Sequence, residues 1–154
     1  MGDHQFDYSK ITEQIYIGSD LCKGGVCKIH GEEFKALGVD VEINLSAERN
    51  ELPPKELEVA YCWLPTVDCT APSATQLDMG TAVMHEVIKD GRVVYVHCTN
   101  GHGRSPTMVA AYLIRFGRKP LGEALAQISQ GRPEAHIEET QKAALEEFER
   151  KWST

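Results

Sequence analysis

The sequence lacks a long apolar stretch, an excess of positive charge and an even number of cysteines. No apolar run approaches the ~18 residues that a membrane-spanning helix needs, so we expect no stable membrane insertion. The chain has 16 Lys and Arg against 23 Asp and Glu, which gives a formal net charge of −7. Because nucleic acids and anionic membranes are bound mainly through Lys and Arg, this balance argues against both as general partners.

The cysteine count argues against a disulfide framework. The five cysteines are Cys22, Cys27, Cys62, Cys69 and Cys98. Five is an odd number, and free thiols are typical of a reducing compartment. The first residues also lack the basic and then apolar pattern of a secretory signal. We therefore expect a cytoplasmic protein, with a monomer as the default state.

The overall composition is that of an ordinary globular domain. The chain has 154 residues, of which 42% are hydrophobic and 25% are charged. This is long enough to bury a core and typical of one domain. No repeat and no linker rich in Pro, Gly or Ser divides the sequence. We expect residues 1–154 to form a single domain.

Predicted strands and helices alternate along the chain. Apolar and β-branched runs predict strands at residues 15–17, 41–45, 59–64 and 93–97. Helical spacing predicts helices at residues 32–37, 74–90, 105–116, 121–128 and 137–152, the second of them after a capping box at Ser73 to Gln76. This order predicts an α/β fold: a central, largely parallel twisted sheet of about four to five strands flanked by helices. In such sheets, binding sites form beyond the carboxyl ends of the strands.

One loop between a buried strand and a helix carries most of the chemistry. Its sequence is His-Cys-Thr-Asn-Gly-His-Gly-Arg-Ser, residues 97–105. We expect Ser105 to be the N-cap and Pro106 to be the first helical residue. The free N–H groups and the dipole at a helix N-terminus favour anions. Gly101 and Gly103 allow the tight backbone path that aims successive N–H groups inward as an anion nest.

Three side chains of this loop suit attack on a phosphate monoester. The field that holds a phosphate also favours a thiolate, so Cys98 is a candidate nucleophile. Arg104 supplies a planar fork for two phosphate oxygens. Ser105 can donate a hydrogen bond to the sulfur of Cys98 and help it to leave phosphorus.

The same segment resembles the signature of the cysteine-based protein tyrosine phosphatases: His-Cys, five residues, Arg, then Ser or Thr. The short chain is similar to the dual-specificity branch of that superfamily. The likeness starts near residues 11–18 and ends in Arg132-Pro133 and the following helix. Residues 94–98 and 107–114 are also similar to mitochondrial phosphatidylglycerophosphate phosphatase, a lipid-acting relative.

The resemblance implies roles for individual residues. It implies that Cys98 is the nucleophile, that Arg104 binds phosphate and that an Asp on an earlier loop is the general acid. Asp68 fits that position, and Asp78 competes with it from within a predicted helix. The expected phosphate-binding residues are Thr99, Asn100, Gly101, His102, Gly103 and Arg104, with His97 and Ser105 in support. No cofactor and no metal are expected.

The expected function is hydrolysis of phosphate monoesters through phosphocysteine, with phosphotyrosine in proteins as the leading substrate and phosphoserine or phosphothreonine as further ones. A lipid phosphatase acting on phosphatidylglycerophosphate or a phosphoinositide is the main alternative. The variable positions Thr99, Asn100 and His102 contain no Lys or Arg, which weakens the phosphoinositide hypothesis. The net charge of −7 argues against an RNA triphosphatase, because RNA binding needs a basic surface. Two more hypotheses stay open: a pseudophosphatase that only binds phosphorylated partners, and a rhodanese or arsenate-reductase-like use of the loop.

Four further features of the sequence have two interpretations each. We expect His97 to be a core histidine that bonds the backbone and orients Cys98, and not to contact the substrate. Cys69 is either an inert thiol or the partner of Cys98 in a protective disulfide. Gln141 is either a water-positioning residue or a solvated helix position. Cys22, Cys27 and His30 are either zinc ligands or ordinary loop residues; their spacing is not that of a standard zinc finger, and a fourth ligand is missing.

Overall fold

Five strands form one mixed sheet in the computed structural model, which describes residues 7–21, 28–50, 52–53 and 55–153. The strands are β1 (Tyr8–Thr12), β2 (Ile15–Gly18), β3 (Val41–Ser46), β4 (Ala60–Thr66) and β5 (Val94–His97). Their order across the sheet is β1-β2-β5-β3-β4. Only the β1–β2 pair is antiparallel. The predicted α/β fold with a largely parallel sheet is confirmed, and β1 is an edge strand that the sequence analysis did not predict.

Five helices flank the sheet. They are α1 (Lys28–Ala36), α2 (Ala74–Lys89), α3 (Arg104–Arg115), α4 (Leu121–Gly131) and α5 (Glu139–Trp152), and a 3₁₀ turn spans Lys55–Leu57. The predicted capping box opens α2: Gln76 N donates to Ser73 Oγ, and Ser73 N donates to the side chain of Gln76. Gly91 follows α2 with a φ of +76°, a conformation that favours glycine at a helix end.

The two faces of the sheet bury different residues. On one face, alternate residues of β3 and β5, such as Ile43 and Val96, join the main core with α2, α3, α4 and α5. On the other face, Tyr95 packs with Phe34 of α1 in a smaller core. The central helix α3 is buried along most of its length, so its N-terminus is fixed by packing on several sides.

Three parallel strands end at one edge of the sheet. In the strand register, Asn44 lies beside His97 and Ser46 lies beside Thr66. The segments that leave β3, β4 and β5 therefore start next to one another. They are residues 47–50, residues 67–73 and the loop of residues 98–103, which leads into α3.

Candidate active site

The loop of residues 98–103, here called the phosphate loop, turns its carbonyl groups away from the pocket and toward neighbouring protein segments. Thr99 O accepts from Asp20 N at 3.2 Å, and His102 O accepts from His136 N at 2.6 Å. Within the described part of the chain, no peptide N–H of residues 99–103 donates to a protein atom. A row of free N–H groups opposite satisfied carbonyls is the arrangement that an anion nest needs. Phosphate binding by Thr99, Asn100, Gly101, His102 and Gly103 stays a prediction.

Arg132 supports the outer side of this loop. Its side chain is fully buried, and it donates from Nε to Gly101 O at 2.7 Å and from Nη2 to Asn100 O at 3.0 Å. The guanidinium is held in turn by Asp7 at 2.8 Å. The sequence analysis used Arg132 only as the end of the family resemblance and missed this contact.

Gly101 is required by the path of the phosphate loop. Its φ is +71°, and a Cβ at this position would lie 2.6 Å from the carbonyl oxygen of Gly18 on β2. Any other residue would be strained by its backbone and would also push the loop away from β2.

The thiol of Cys98 lies at the base of the nest. Cys98 is 2% exposed, and its Sγ lies 3.3 Å from Ser105 Oγ. The expectation that Ser105 caps α3 is wrong: Gly103 is the N-cap, α3 begins at Arg104, and Ser105 lies within the first turn. The physical reason is the contact with sulfur, since the hydroxyl is directed at Cys98 Sγ and not at a helix N–H group.

Arg104 is buried and held along one edge of its guanidinium. It is 2% exposed. Nη1 and Nη2 each donate to a carboxylate oxygen of Glu48 at 2.8 Å, and Nη1 also donates to Thr66 O at 2.8 Å. Arg104 Nε is a buried donor with no partner among the described residues. On the same edge, Nη2 makes only a long bond of 3.4 Å to Thr99 Oγ1. The Nε edge is therefore the side from which two phosphate oxygens can be bound once that long bond is released.

Glu48 is a site residue that the sequence analysis missed. Its hydrogen bonds from Arg104, together with one from the Thr99 hydroxyl, lower the pKa of Glu48 to about 2 despite partial burial. The carboxylate is thus charged at any physiological pH. It fixes the plane of the Arg104 guanidinium, and it neutralises part of its charge.

Asp68 lies at the mouth of the site. Its Oδ1 lies 3.5 Å from Arg104 Nη2, and its side chain is 71% exposed. The same oxygen accepts from Cys69 N at 2.9 Å, where Cys69 has a φ of +65°. The competing residue Asp78 lies in α2 and pairs with Lys151 and Trp152 of α5. Of the two candidate acids, only Asp68 is beside Arg104.

The comparisons with known proteins point to the same family as the motif in residues 97–105. A family model described as "Dual specificity phosphatase, catalytic domain" matches residues 24–151. The chain belongs to this family. The resemblance drawn from residues 97–105 is therefore confirmed.

Several relatives of this dual-specificity phosphatase domain have known names. Phosphatidylglycerophosphate phosphatase PTPMT2 of Arabidopsis thaliana is 33% identical over 93% of this chain and 63% of its own length. Phosphatidylglycerophosphatase and protein-tyrosine phosphatase 1 of Homo sapiens is 40% identical over 61% of this chain and 47% of its own length. The chain thus spans about half to two thirds of these relatives. The crystal structure of PTPMT1 superposes with a TM-score of 0.83 at 28% identity, over 95% of this chain and 96% of that one.

The start of α5 joins the phosphate loop of this domain to the loop that carries Asp68. Gln141 is 1% exposed, so its interpretation as a solvated position is wrong. Its Nε2 donates to Thr70 O at 3.1 Å, and its side chain approaches Gly103 so closely that a Cβ there would meet it at 3.0 Å. Thr140 Oγ1 donates to Cys69 O at 3.0 Å. These contacts hold the acid loop against α5.

His97 differs from its expected role. Its ring nitrogens contact two buried carboxylates, Asp20 at 2.9 Å and Glu42 at 2.6 Å, and not the backbone. Burial alone would lower the pKa of His97, but the two hydrogen bonds outweigh it and raise the pKa to about 9. Sequence reasoning missed Asp20 and Glu42 because both are distant from His97 in the chain.

The described residues contain neither a side-chain group arranged for a metal ion nor a helix typical of a membrane span. Among them, no group of three or more His, Cys, Asp or Glu side chains is arranged to hold a metal ion. The suggested zinc ligands Cys22, Cys27 and the side chain of His30 lie outside what the structure describes. In the described ranges, no helix has both the length and the apolar character of a membrane span.

Proposed function

We propose that the protein hydrolyses phosphate monoesters through a phosphocysteine intermediate on Cys98. One observation carries this proposal: the buried Cys98 begins a loop whose peptide N–H groups donate to no described protein atom, and the loop ends at Arg104, whose buried Nε has no partner among the described residues. A buried donor such as this Nε is costly unless an anion satisfies it. A phosphoryl group in contact with all of these donors has its phosphorus next to the thiolate.

The reaction has two displacements at phosphorus. In the first, the Cys98 thiolate attacks phosphorus, the bond to the leaving oxygen breaks, and Asp68 gives its proton to that oxygen. In the second, Asp68 takes a proton from water, the water oxygen attacks phosphorus, and the sulfur–phosphorus bond breaks to release inorganic phosphate. Arg104 and the loop amides stabilise the charge on the equatorial oxygens in both steps.

Two contacts favour the departure of sulfur in the second step. The Ser105 hydroxyl, 3.3 Å from Cys98 Sγ, can donate to the thiolate as it forms. The N-terminus of α3 also favours negative charge at this position. Asp68 is exposed at the mouth, where it can exchange its proton with the leaving oxygen and then with water.

The substrate that we place first is phosphatidylglycerophosphate. The two relatives from Arabidopsis thaliana and Homo sapiens support this choice, since the name of each includes activity on that lipid. Phosphotyrosine, the leading substrate from sequence, is placed second. Two facts support it: the name of the human relative includes protein-tyrosine phosphatase, and Thr99, Asn100 and His102 give the phosphate loop no permanent positive charge for a second phosphate.

The test is phosphate release by the purified chain with a reductant and a chelator, in parallel from phosphatidylglycerophosphate in mixed micelles and from a phosphotyrosine peptide. We expect a higher kcat/KM for the lipid and no release by Cys98→Ser, which keeps the loop and the arginine. A higher kcat/KM for the peptide would reverse the order of substrates. Release by Cys98→Ser at the normal rate would refute the phosphocysteine mechanism. Binding of tungstate without release from either substrate would indicate a pseudophosphatase.

A further inference from the structure

Two buried carboxylates enclose the imidazole of His97 on the sheet face that lies away from the main core. Asp20 follows β2, and its Oδ1 lies 2.9 Å from His97 Nδ1. Glu42 lies on β3, and its Oε2 lies 2.6 Å from His97 Nε2. Glu42 and His97 are fully buried, and Asp20 is nearly so. Glu42 Oε1 has no hydrogen-bond partner among the described residues.

The contacts fix the number of protons in this group. An ionised carboxylate only accepts hydrogen bonds, and both ring nitrogens face a carboxylate oxygen. Each of the two contacts therefore needs one proton. Two protons are shared by two acids and one imidazole, so the group has a net charge of −1. In the dominant form His97 is an imidazolium, which agrees with its raised pKa.

This group is connected directly to the phosphate loop. His97 precedes Cys98 in the chain, and Asp20 N donates to Thr99 O at 3.2 Å. Ser46 Oγ lies 3.1 Å from Asp20 Oδ1 and 3.3 Å from Thr99 Oγ1. Glu42 is farther from the loop, because it lies beside Tyr95 in the strand register.

We propose that Asp20, Glu42 and His97 form one proton-holding cluster that positions the start of the phosphate loop and adjusts the reactivity of the Cys98 thiol. Asp20 and Glu42 are positioning residues in this proposal, since they act through His97 and Thr99. The proposal rests on the proposed role of Cys98 as nucleophile. It adds two acids that do not touch the substrate.

The cluster predicts opposite effects for two isosteric variants. In Glu42→Gln the amide nitrogen takes the place of Oε2 and donates to Nε2, because the place of Oε1 offers no acceptor among the described residues. His97 then becomes neutral, and the cation beside Cys98 is lost. The thiolate of Cys98 is then less stable. In Asp20→Asn the amide oxygen keeps the place of Oδ1, where both Ser46 Oγ and His97 Nδ1 need an acceptor. The proton between His97 and Glu42 remains, and the cluster changes from −1 to neutral. The thiolate is then more stable.

The charged and titratable neighbours of the cluster stay unchanged in these variants. Arg49 Nε lies 3.8 Å from Asp20 Oδ2, and the ring of Tyr95 lies 5.5 Å from that of His97. Arg104 and Glu48 contact the Thr99 hydroxyl, which also lies 3.3 Å from Ser46 Oγ. Because these groups are common to both variants, they cannot produce shifts of opposite sign.

The first test is the pH dependence of alkylation of Cys98 by iodoacetamide, with the modified cysteine identified by mass spectrometry. We expect the midpoint to move up in Glu42→Gln and down in Asp20→Asn, each by on the order of one pH unit, the effect of a nearby unit charge. The matched control is Thr81→Val, which removes a buried hydroxyl from α2 and should leave the midpoint unchanged. Shifts of the same sign in both acid variants, or no shift in either, would overturn the proposal.

The second test needs no acid variant to fold. The ¹⁵N resonances of the His97 ring, assigned by their absence from His97→Gln, should show two protonated nitrogens in the unmodified protein at pH 7. A neutral ring at pH 7 would refute the cluster. Neither test depends on turnover. If the alkylation midpoints shift as expected while no substrate is hydrolysed, the cluster stands and the proposed function fails.

Discussion

Replacement of Arg104 by lysine tests the central contact of the site. The arginine uses one edge of its guanidinium for Glu48 and one hydrogen bond for Thr66 O. Its Nε is buried without a partner among the described residues. A lysine keeps the positive charge but has one compact ammonium, which cannot serve the Glu48 edge and the phosphate edge at once.

The size of the loss follows from the hydrogen bonds involved. A hydrogen bond to a charged group contributes ~1.5–3 kcal/mol, and the Nε edge offers two such bonds to a phosphoryl group. If the ammonium keeps one of them, the loss in transition-state binding is ~1.5–3 kcal/mol. That corresponds to a decrease of roughly 10–10²-fold in kcat/KM.

The assay compares kcat/KM and tungstate affinity of Arg104→Lys with those of Arg115→Lys. Arg115 is the matched control because it ends the same helix, where it donates to Asp78 O and Thr81 Oγ1 and lies over the Trp152 ring. We expect Arg115→Lys to stay within a few-fold of the unmodified protein. An Arg104→Lys protein that is folded and retains kcat/KM within threefold would show that phosphate is not bound through the Nε edge.

Three further predictions concern the acid, the buried histidine and the overall charge. Asp68→Asn should slow an alkyl phosphate far more than an activated aryl phosphate, and equal losses would count against Asp68 as the acid. The pKa of His97 is about 9 in the folded state and near ~6.5 in the unfolded state. Its contribution to the free energy of unfolding is therefore complete below pH ~6.5 and is lost as pH rises through 9. Urea titrations should show a fall in stability over this interval of up to ~3 kcal/mol, absent in Glu42→Gln. With a net charge of −7, kcat/KM for an anionic peptide should rise from low to moderate NaCl; a steep fall would indicate a basic docking surface.

The phosphate loop was predictable because its parts are local in the sequence. A buried strand, two glycines and a helix start lie within residues 93–106, so neighbouring residues alone predict a nest with a thiol at its base. The same holds for the capping box at Ser73, whose two hydrogen bonds join residues three apart. The exception is Ser105, because residue type cannot show whether a hydroxyl faces a helix N–H group or a sulfur atom.

The supporting residues were not predictable because they come from distant segments. Glu48 and Arg132 reach the site from the end of β3 and from the end of α4. The alternation Val-Glu-Ile-Asn-Leu-Ser in β3 is typical of a strand with one solvated face. In the structure all six residues of that strand are buried. The polar face is buried because His97, and not water, is the partner of Glu42.

The orientation of the phosphate loop depends on these distant residues more than on the loop itself. A peptide group that turns its N–H toward the pocket turns its carbonyl away, into the protein, where an unpaired oxygen would be costly. Here Arg132, His136 N and Asp20 N donate to the four carbonyls of residues 99–102. Residues of the signature motif can therefore be present in a chain whose loop does not form a nest. Whether a related sequence can bind phosphate should depend on donors equivalent to Arg132 as much as on the cysteine and arginine of the motif.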